Sequence, residues 1–249
     1  MPVLRLVTTL LIFLCLEGPS SSADLDRYLV ARWSPAAGSL ESKPDNFFLE
    51  EMDIGGAPGK ASEENGLHLK PGKLLYSLNL NSQAHPDLRK AVTIVVRFRV
   101  PEPASAKTHF LFGFRSQRKP GDWSDMTLAA RYEGDPGTPS MGAYSVLQDG
   151  GTLGTGPSRF IPVAEGELLT AAIAFDGDDG LLTFWLNGQS VITQAKGRKK
   201  NVKLADFTNF SIGRLKAATG MEAVFVEMQI FSVAFTPEWM AEIAAEPVR

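Results

Sequence analysis

The chain has 249 residues and a formal net charge of −3, which excludes a strongly basic nucleic-acid-binding protein. Hydrophobic residues make up 44% of the chain, so it can bury one core of ordinary size. Its 23 glycines and 16 prolines are typical of many short strands joined by turns.

The first residues have the pattern of a secretory signal peptide. Arg5 precedes an apolar run over residues 6–16, and small residues at 21–23 fit a cleavage site. Because this run is too short for a stable membrane span, we expect residues 1–23 to be removed, with a retained anchor as the alternative. The mature chain is then secreted, periplasmic or held at the cell surface, without a transmembrane segment. Since Cys15 is the single cysteine, that chain has no disulfide and depends on its core.

The remaining sequence divides into two parts. Residues 24–64 predict a lead-in with one or two strands, the first at residues 28–33, and residues 65–249 predict the main domain. Later strands are predicted at residues 91–100, 109–115, 126–132, 143–147, 206–215 and 223–235.

The strand predicted at residues 91–100 has two different sides. Four apolar residues alternate along it, while Arg97 and Arg99 point the other way. We therefore expect one side to lie in the core and the other to be partly solvated.

Residues 167–195 predict an antiparallel meander of three strands. The turn signals are the acidic, glycine-rich residues 176–180 and the pair Asn187-Gly188. Asn-Gly favours a type I′ turn, because both central residues of that turn need φ > 0. Alternation in the middle strand places Leu182, Phe184 and Leu186 on one face, opposite Thr183 and Trp185.

A short C-terminal helix is predicted after the last strand. Thr236 can cap it, Pro237 suits its first position, and residues 239–245 supply an apolar stripe.

The order of the motifs in the C-terminal half resembles a known family. The sequence contains Phe-Asp-Gly at 175–177, Leu-Thr-Phe-Trp-Leu-Asn-Gly at 182–188, Phe-Ser-Ile-Gly-Arg at 210–214 and Glu-Met-Gln-Ile-Phe at 227–231. This succession is similar to the C-terminal half of a laminin-G-like domain of the concanavalin A-like lectin/glucanase superfamily. The resemblance implies an all-β, two-sheet antiparallel jelly-roll sandwich with a short C-terminal helix. The chain departs from the family at Val226, where an Asp usually precedes the Glu.

The resemblance implies binding, and the favoured ligand is a carbohydrate. Sugar-binding sandwiches use exposed aromatic rings with polar groups beside them. A tryptophan among small and acidic residues in a predicted loop fits this role, together with polar and aromatic residues on neighbouring strands. The predicted ligand-binding residues are Trp123, Asp122, Asp125, Tyr132, Tyr144 and Gln148. Trp185 is the other aromatic candidate, but a packing role across the strands is favoured for it.

Glycosidase chemistry is not predicted. Glu51 and Asp53 match two positions of a Glu-x-Asp-x-Glu or Glu-x-Asp-x-x-Glu glucanase motif, but Gly55 and Gly56 occupy the two alternatives for the third carboxylate. A non-catalytic module is therefore expected, and a divergent glycosidase or lyase is kept as an alternative.

No cofactor is predicted, with a calcium site as the open alternative. Asp176, Asp178 and Asp179 offer carboxylates to a hard cation, yet their spacing is not that of an EF-hand loop, and a hairpin turn is favoured. The three histidines have no zinc-ligand spacing.

A basic link at residues 196–203 is most simply a solvated loop, with an anionic polysaccharide or a membrane surface as its alternative partner. Together these patterns predict a secreted, non-catalytic module that binds a glycan. A module that binds a cell-surface protein is the second hypothesis.

Overall fold

The computed structural model describes residues 25–35, 41–45, 47, 49–53, 66–69, 73–100, 109–116, 126–133, 139–164, 166–213 and 223–247. Two antiparallel β-sheets form a sandwich, and one helix follows the last strand. The predicted all-β sandwich with a short C-terminal helix is confirmed.

Sixteen strands are described. In chain order they are β1 (Leu29–Trp33), β2 (Lys43–Pro44), β3 (Glu50–Asp53), β4 (Leu67–Leu69), β5 (Lys73–Ser77), β6 (Ala91–Arg99), β7 (His109–Arg115), β8 (Met126–Glu133), β9 (Ser140–Val146), β10 (Thr152–Gly154), β11 (Ile161–Pro162), β12 (Leu168–Asp176), β13 (Leu181–Leu186), β14 (Gln189–Gln194), β15 (Asn209–Gly213) and β16 (Ala223–Phe231). The helix α1 spans Pro237–Ala245. Short 3-10 helices lie at Asp26–Tyr28, Pro86–Arg89, Pro157–Arg159 and Lys196–Arg198.

The two sheets have eight strands each. Sheet I has the order β14-β13-β12-β6-β16-β1-β2, and β4 also pairs with β16. Sheet II has the order β10-β9-β8-β7-β15-β5-β3, and β11 also pairs with β9. The predicted lead-in thus supplies β1, β2 and β3, one strand more than expected, because two of these are short edge pieces without a clear alternating pattern.

The core lies between the sheets and is rich in aromatic rings. Trp33 of sheet I stacks on Phe210 of sheet II with ring centroids 5.4 Å apart. Phe114 of sheet II stacks on Phe207 at 4.2 Å. The indole Nε1–H of Trp33 donates to the Phe47 carbonyl at 2.9 Å, so the polar end of this buried ring is satisfied.

Both predicted turns of the meander are confirmed. Asn187 has φ +43° and Gly188 has φ +88°, as a type I′ turn requires. In the preceding turn, the Asp176 carboxylate accepts hydrogen bonds from the backbone N–H groups of Asp178 and Asp179 at 3.0 and 3.2 Å. Residues within each turn therefore determine how the chain reverses between consecutive strands.

Gly188→Val should lower the free energy of unfolding by about 1–3 kcal/mol, because valine strongly disfavours a positive φ. No atom lies within 4 Å of the place where its Cβ would be, so backbone strain alone carries the effect. Gln189→Val, at an exposed strand position, should change stability by less than about 0.5 kcal/mol. Denaturant titrations of the two variants test this, and equal losses would contradict the turn type.

The outward side of β6 is buried along most of its length, while Arg99 at its end is partly exposed, so the predicted partial solvation holds at that end and is wrong for Arg97. Helix α1 and the 3-10 helix Asp26–Tyr28 cover this side. Arg97 is 3% exposed there and Trp185 is 4% exposed. Trp185 therefore has the packing role that the sequence favours for it.

The predicted start of α1 is confirmed. The Thr236 hydroxyl accepts a hydrogen bond from the Trp239 backbone N–H at 3.4 Å, and Pro237 is the first helical residue. Met240 and Ile243 are the buried residues of the helix and lie against sheet I.

Candidate functional site

The last strand of sheet II is built in two pieces. Strand β10 pairs with residues 144–146 of β9, and β11 pairs with residues 140–141 of the same strand. Between these pieces, residues 155–160 leave the sheet and return to it, with an exposed 3-10 helix at Pro157–Arg159. This short excursion brings Phe160 back over β9.

Two aromatic rings lie on the outward side of β9. Met141 and Ala143 belong to the core, so strand alternation places Gly142 and Tyr144 outward. The Phe160 ring covers Gly142 so closely that a Cβ added there would lie 2.6 Å from it. The Tyr144 ring lies over Gly154 of β10, where an added Cβ would be 3.4 Å away. Both rings are half-buried, and glycines make room for them.

An ion pair borders these rings. Arg131 of β8 lies directly opposite Gly142, and its guanidinium carbon is 5.6 Å from the centroid of the Phe160 ring. Its Nη2 donates to Glu133 Oε1 at 3.1 Å, and the two side chains are 29% and 30% exposed. We call Arg131, Glu133, Tyr144 and Phe160 the Tyr144 face.

The Tyr144 face combines two kinds of contact. A ring exposes an apolar face that can pack against C–H groups, and the ion pair offers a donor and an acceptor to hydroxyl groups. All four side chains are partly exposed in the folded chain, although Nε of Arg131 and Oε2 of Glu133 are buried. This chemistry suits a polyhydroxyl ligand with an apolar ring face.

Three of the predicted ligand-binding residues are described, and they do not share one surface. Tyr144 lies on the outward face, but Tyr132 is 0% exposed in the core, so its predicted ligand contact is wrong. The reason is register: Tyr132 pairs with Met141, an odd number of residues from Tyr144, and alternation puts the two tyrosines on opposite faces. Gln148 is exposed in the loop after β9 and lines a separate cleft.

Three predicted residues, Asp122, Trp123 and Asp125, lie outside the described residues. Three members of the Tyr144 face, Arg131, Glu133 and Phe160, were not predicted. Phe160 follows a Gly-Pro-Ser-Arg stretch that is typical of a loop. No local sequence pattern predicts that the Phe160 ring packs on β9.

Two of the three candidate calcium ligands, Asp176 and Asp179, make contacts in and beside the hairpin turn. Besides the two hydrogen bonds that Asp176 accepts, Asp179 forms an ion pair with Lys200 at 2.8 Å. Lys199 is paired with Asp149 at 2.7 Å, so two cations of the basic link have partners. Among the described residues, no group of three or more His, Cys, Asp or Glu side chains could hold a metal ion.

The two carboxylates that match part of the glucanase motif lie on the edge strand of sheet II. Glu51 and Asp53 belong to β3, which pairs with β5.

No helix in the described part of the chain is long and apolar enough to span a membrane.

Comparisons with known proteins support the fold. No protein-family model matches the chain, and no curated protein is significantly similar to it. Domain 4 of AbnA, an extracellular GH43 arabinanase from Geobacillus stearothermophilus solved with arabinotriose, has a TM-score of 0.54 at 16% identity over 87% of this chain and 98% of that one.

Two further structures share the sandwich. A botulinum neurotoxin type C structure, described by its interaction with two ganglioside molecules, has a TM-score of 0.62 at 8% identity over 90% of this chain and 52% of its own. Trypanosoma rangeli sialidase in complex with sialic acid has a TM-score of 0.56 at 13% identity over 87% and 32%. The chain thus spans about half of the toxin structure and a third of the sialidase. The neighbours are β-sandwich domains of carbohydrate-binding proteins and glycosidases.

Proposed function

We propose that this chain is a secreted, non-catalytic carbohydrate-binding module of the laminin-G-like kind and that it binds a glycan at the Tyr144 face. The observation that carries the proposal is the pair of half-buried rings, Tyr144 and Phe160, beside the ion pair of Arg131 and Glu133. Sugar rings have apolar C–H faces and a rim of hydroxyls, which these two kinds of group complement.

The fold-level comparisons agree with this proposal. The arabinanase domain was solved with arabinotriose, and the toxin is described by its interaction with gangliosides. The apolar leader at residues 6–16 supports secretion. A shallow face of this kind should bind weakly, with a Kd of about 1 mM to 1 μM.

Removing either ring should weaken glycan binding. Tyr144→Ala and Phe160→Ala should each reduce affinity about tenfold to hundredfold, or roughly 1–3 kcal/mol, because the stacking surface is lost. Calorimetric titration with arabinotriose and with a sialylated trisaccharide measures this. Thermal melts should show that both variants remain folded, since each ring reaches solvent.

Tyr144→Phe is the matched control, because it keeps the ring and removes only the hydroxyl. Its affinity should stay within a fewfold of the unmodified chain. Unchanged binding in both alanine variants, with intact melts, would place the site elsewhere. Trp123→Ala in the same titration tests the residue predicted from sequence: a loss confined to this variant would assign binding to its loop instead.

The non-catalytic part of the proposal is based on Gly55 and Gly56, which stand where the glucanase motif needs its third carboxylate. No release of reducing ends from arabinan, β-glucan or chitin is expected. If the unmodified chain releases reducing ends and Glu51→Gln does not, the chain is a glycosidase and the non-catalytic proposal is wrong.

A protein-binding module has less support. Three large apolar side chains of the described residues are exposed, Leu78, Leu168 and Ile192. They lie in a turn and in the separate strands β12 and β14, so they are scattered singly, as on ordinary protein surfaces.

A further inference from the structure

A polar cleft lies just beyond the end of β9, apart from the Tyr144 face. It has a volume of about 510 Å³ and is lined by Leu147, Gln148, Asp149, Asn201, Val202 and Lys203. Gln148 follows Tyr144 by four residues, which is about 13 Å along an extended chain. A ligand in this cleft therefore meets different side chains from one on the Tyr144 face.

The backbone holds both walls of the cleft in place. On one side, the Gln148 N–H donates to the Lys203 carbonyl at 2.8 Å. On the other, the Val202 N–H donates to the Gly177 carbonyl at 2.8 Å, and the Asn201 N–H donates to the Asp178 carbonyl at 3.1 Å. Backbone hydrogen bonds therefore hold the walls without the side chains of Gln148, Asn201 and Lys203.

Several polar groups of the lining have hydrogen-bonding capacity left. Within the described part of the chain, the side chains of Gln148, Asn201 and Lys203 make no hydrogen bond or ion pair. The Asp149 carboxylate accepts from Lys199 Nζ at 2.7 Å and from the Gly151 N–H at 2.9 Å, which leaves lone pairs on both oxygens. The hydrogen bond from Lys199 lowers the pKa of Asp149, so this carboxylate is ionised at neutral pH.

The loops around the cleft carry charges of both signs. Residues 196–203 contribute five cations, and residues 149 and 176–179 contribute four aspartates: Lys196, Arg198, Lys199, Lys200, Lys203, Asp149, Asp176, Asp178 and Asp179. A polyanion would need a strongly positive surface, which this near balance of the two signs does not provide. A neutral ligand with many hydroxyl groups fits better, because carboxylate, amide and ammonium groups together supply both acceptors and donors.

We infer that this cleft is a second saccharide site, which takes a neutral sugar unit through neighbouring hydroxyl groups. Asp149 accepts from hydroxyls, the amides of Gln148 and Asn201 both donate and accept, and Lys203 donates. Leu147 and Val202 provide the apolar wall, and the volume is in the usual range for small-ligand sites. The inference rests on the proposed function, but its residues lie outside the Tyr144 face.

Nitrogen-15 NMR titration with arabinotriose and cellotriose, on the full mature chain, tests the inference. The side-chain amide signals of Gln148 and Asn201 should shift on titration, and they should still shift in Tyr144→Ala. In the double variant Gln148→Ala/Asn201→Gly, the backbone signals of residues 147–151 should respond at least about tenfold more weakly. Asn201 has φ +54°, a value that glycine tolerates, so this variant removes the amide without straining the backbone.

Gln189→Ala is the control, because it removes an exposed amide far from the cleft and should leave all shifts intact. If the signals of Tyr144 and Phe160 move while those of the cleft do not, this inference is wrong and the proposed function stands. If only the cleft responds, the cleft is a site and the Tyr144 face is not. No shift at either place contradicts both, and tighter binding of trigalacturonate than of the neutral sugars overturns the choice of a neutral ligand.

Discussion

Replacing Phe184 with alanine is expected to lower the free energy of unfolding by about 3–5 kcal/mol. Phe184 is 0% exposed in the middle of β13. It lies opposite Ile173 of β12 and Val191 of β14, and it points into the core between the sheets. The close-packed neighbours cannot fully collapse onto the smaller side chain, so the loss combines a transfer cost and a cavity cost.

Urea titration followed by fluorescence measures this effect, and Ile192→Ala on the adjacent strand is the control. Ile192 is 46% exposed, so its truncation should change stability by less than about 0.5 kcal/mol. A loss below about 1 kcal/mol for Phe184→Ala would contradict the assignment of this face of β13 to the core.

Glu227→Leu should destabilise the fold by about 3–5 kcal/mol, because it leaves a buried arginine without its partner. Glu227 is 2% exposed and Arg97 is 3% exposed, with Oε2 of the first 3.2 Å from Nη1 of the second. Glu227 Oε1 also accepts from Gln229 Nε2 at 3.0 Å and lies 3.4 Å from Arg32 Nε. Arg97 Nη2 in turn donates to the Ile243 carbonyl in the last turn of α1.

The double variant Arg97→Met/Glu227→Leu distinguishes an unpaired charge from poor packing. Replacing both members by apolar residues of similar size should recover most of the stability lost in the single variant. Thermal and denaturant unfolding of the single and double variants give this comparison. If the double variant is as unstable as Glu227→Leu, the loss comes from packing or from the missing bond to α1 rather than from the charge.

One extra residue in β16 determines the face of the sheet on which Glu227 of this buried pair lies. Between β6 and β16 the register shifts so that Phe225 lies opposite Phe98 and Glu227 opposite Arg97. Val226 is the added residue of a β-bulge. In a regular strand without this bulge, Glu227 would share the inward face of Phe225, and a carboxylate would lie in the apolar core.

Features that depend on neighbours in sequence follow from the sequence by itself. The type I′ turn at Asn187-Gly188 and the cap of α1 at Thr236 are examples, because one or two side chains set the backbone there. The two faces of β13 are also predictable, since strand alternation is a local rule. These elements are enough to indicate an antiparallel sandwich.

Only the tertiary structure decided which surfaces are covered and which residues meet. The middle of the outward side of sheet I is buried because α1 packs on it, and the bond from Arg97 to Ile243 joins positions 146 residues apart. Register decided that Tyr144 faces outward while Tyr132 enters the core, and the return of Phe160 to Gly142 completed the Tyr144 face. Pairing between distant strands depends on how all of them pack together, so no local pattern in the sequence contains it.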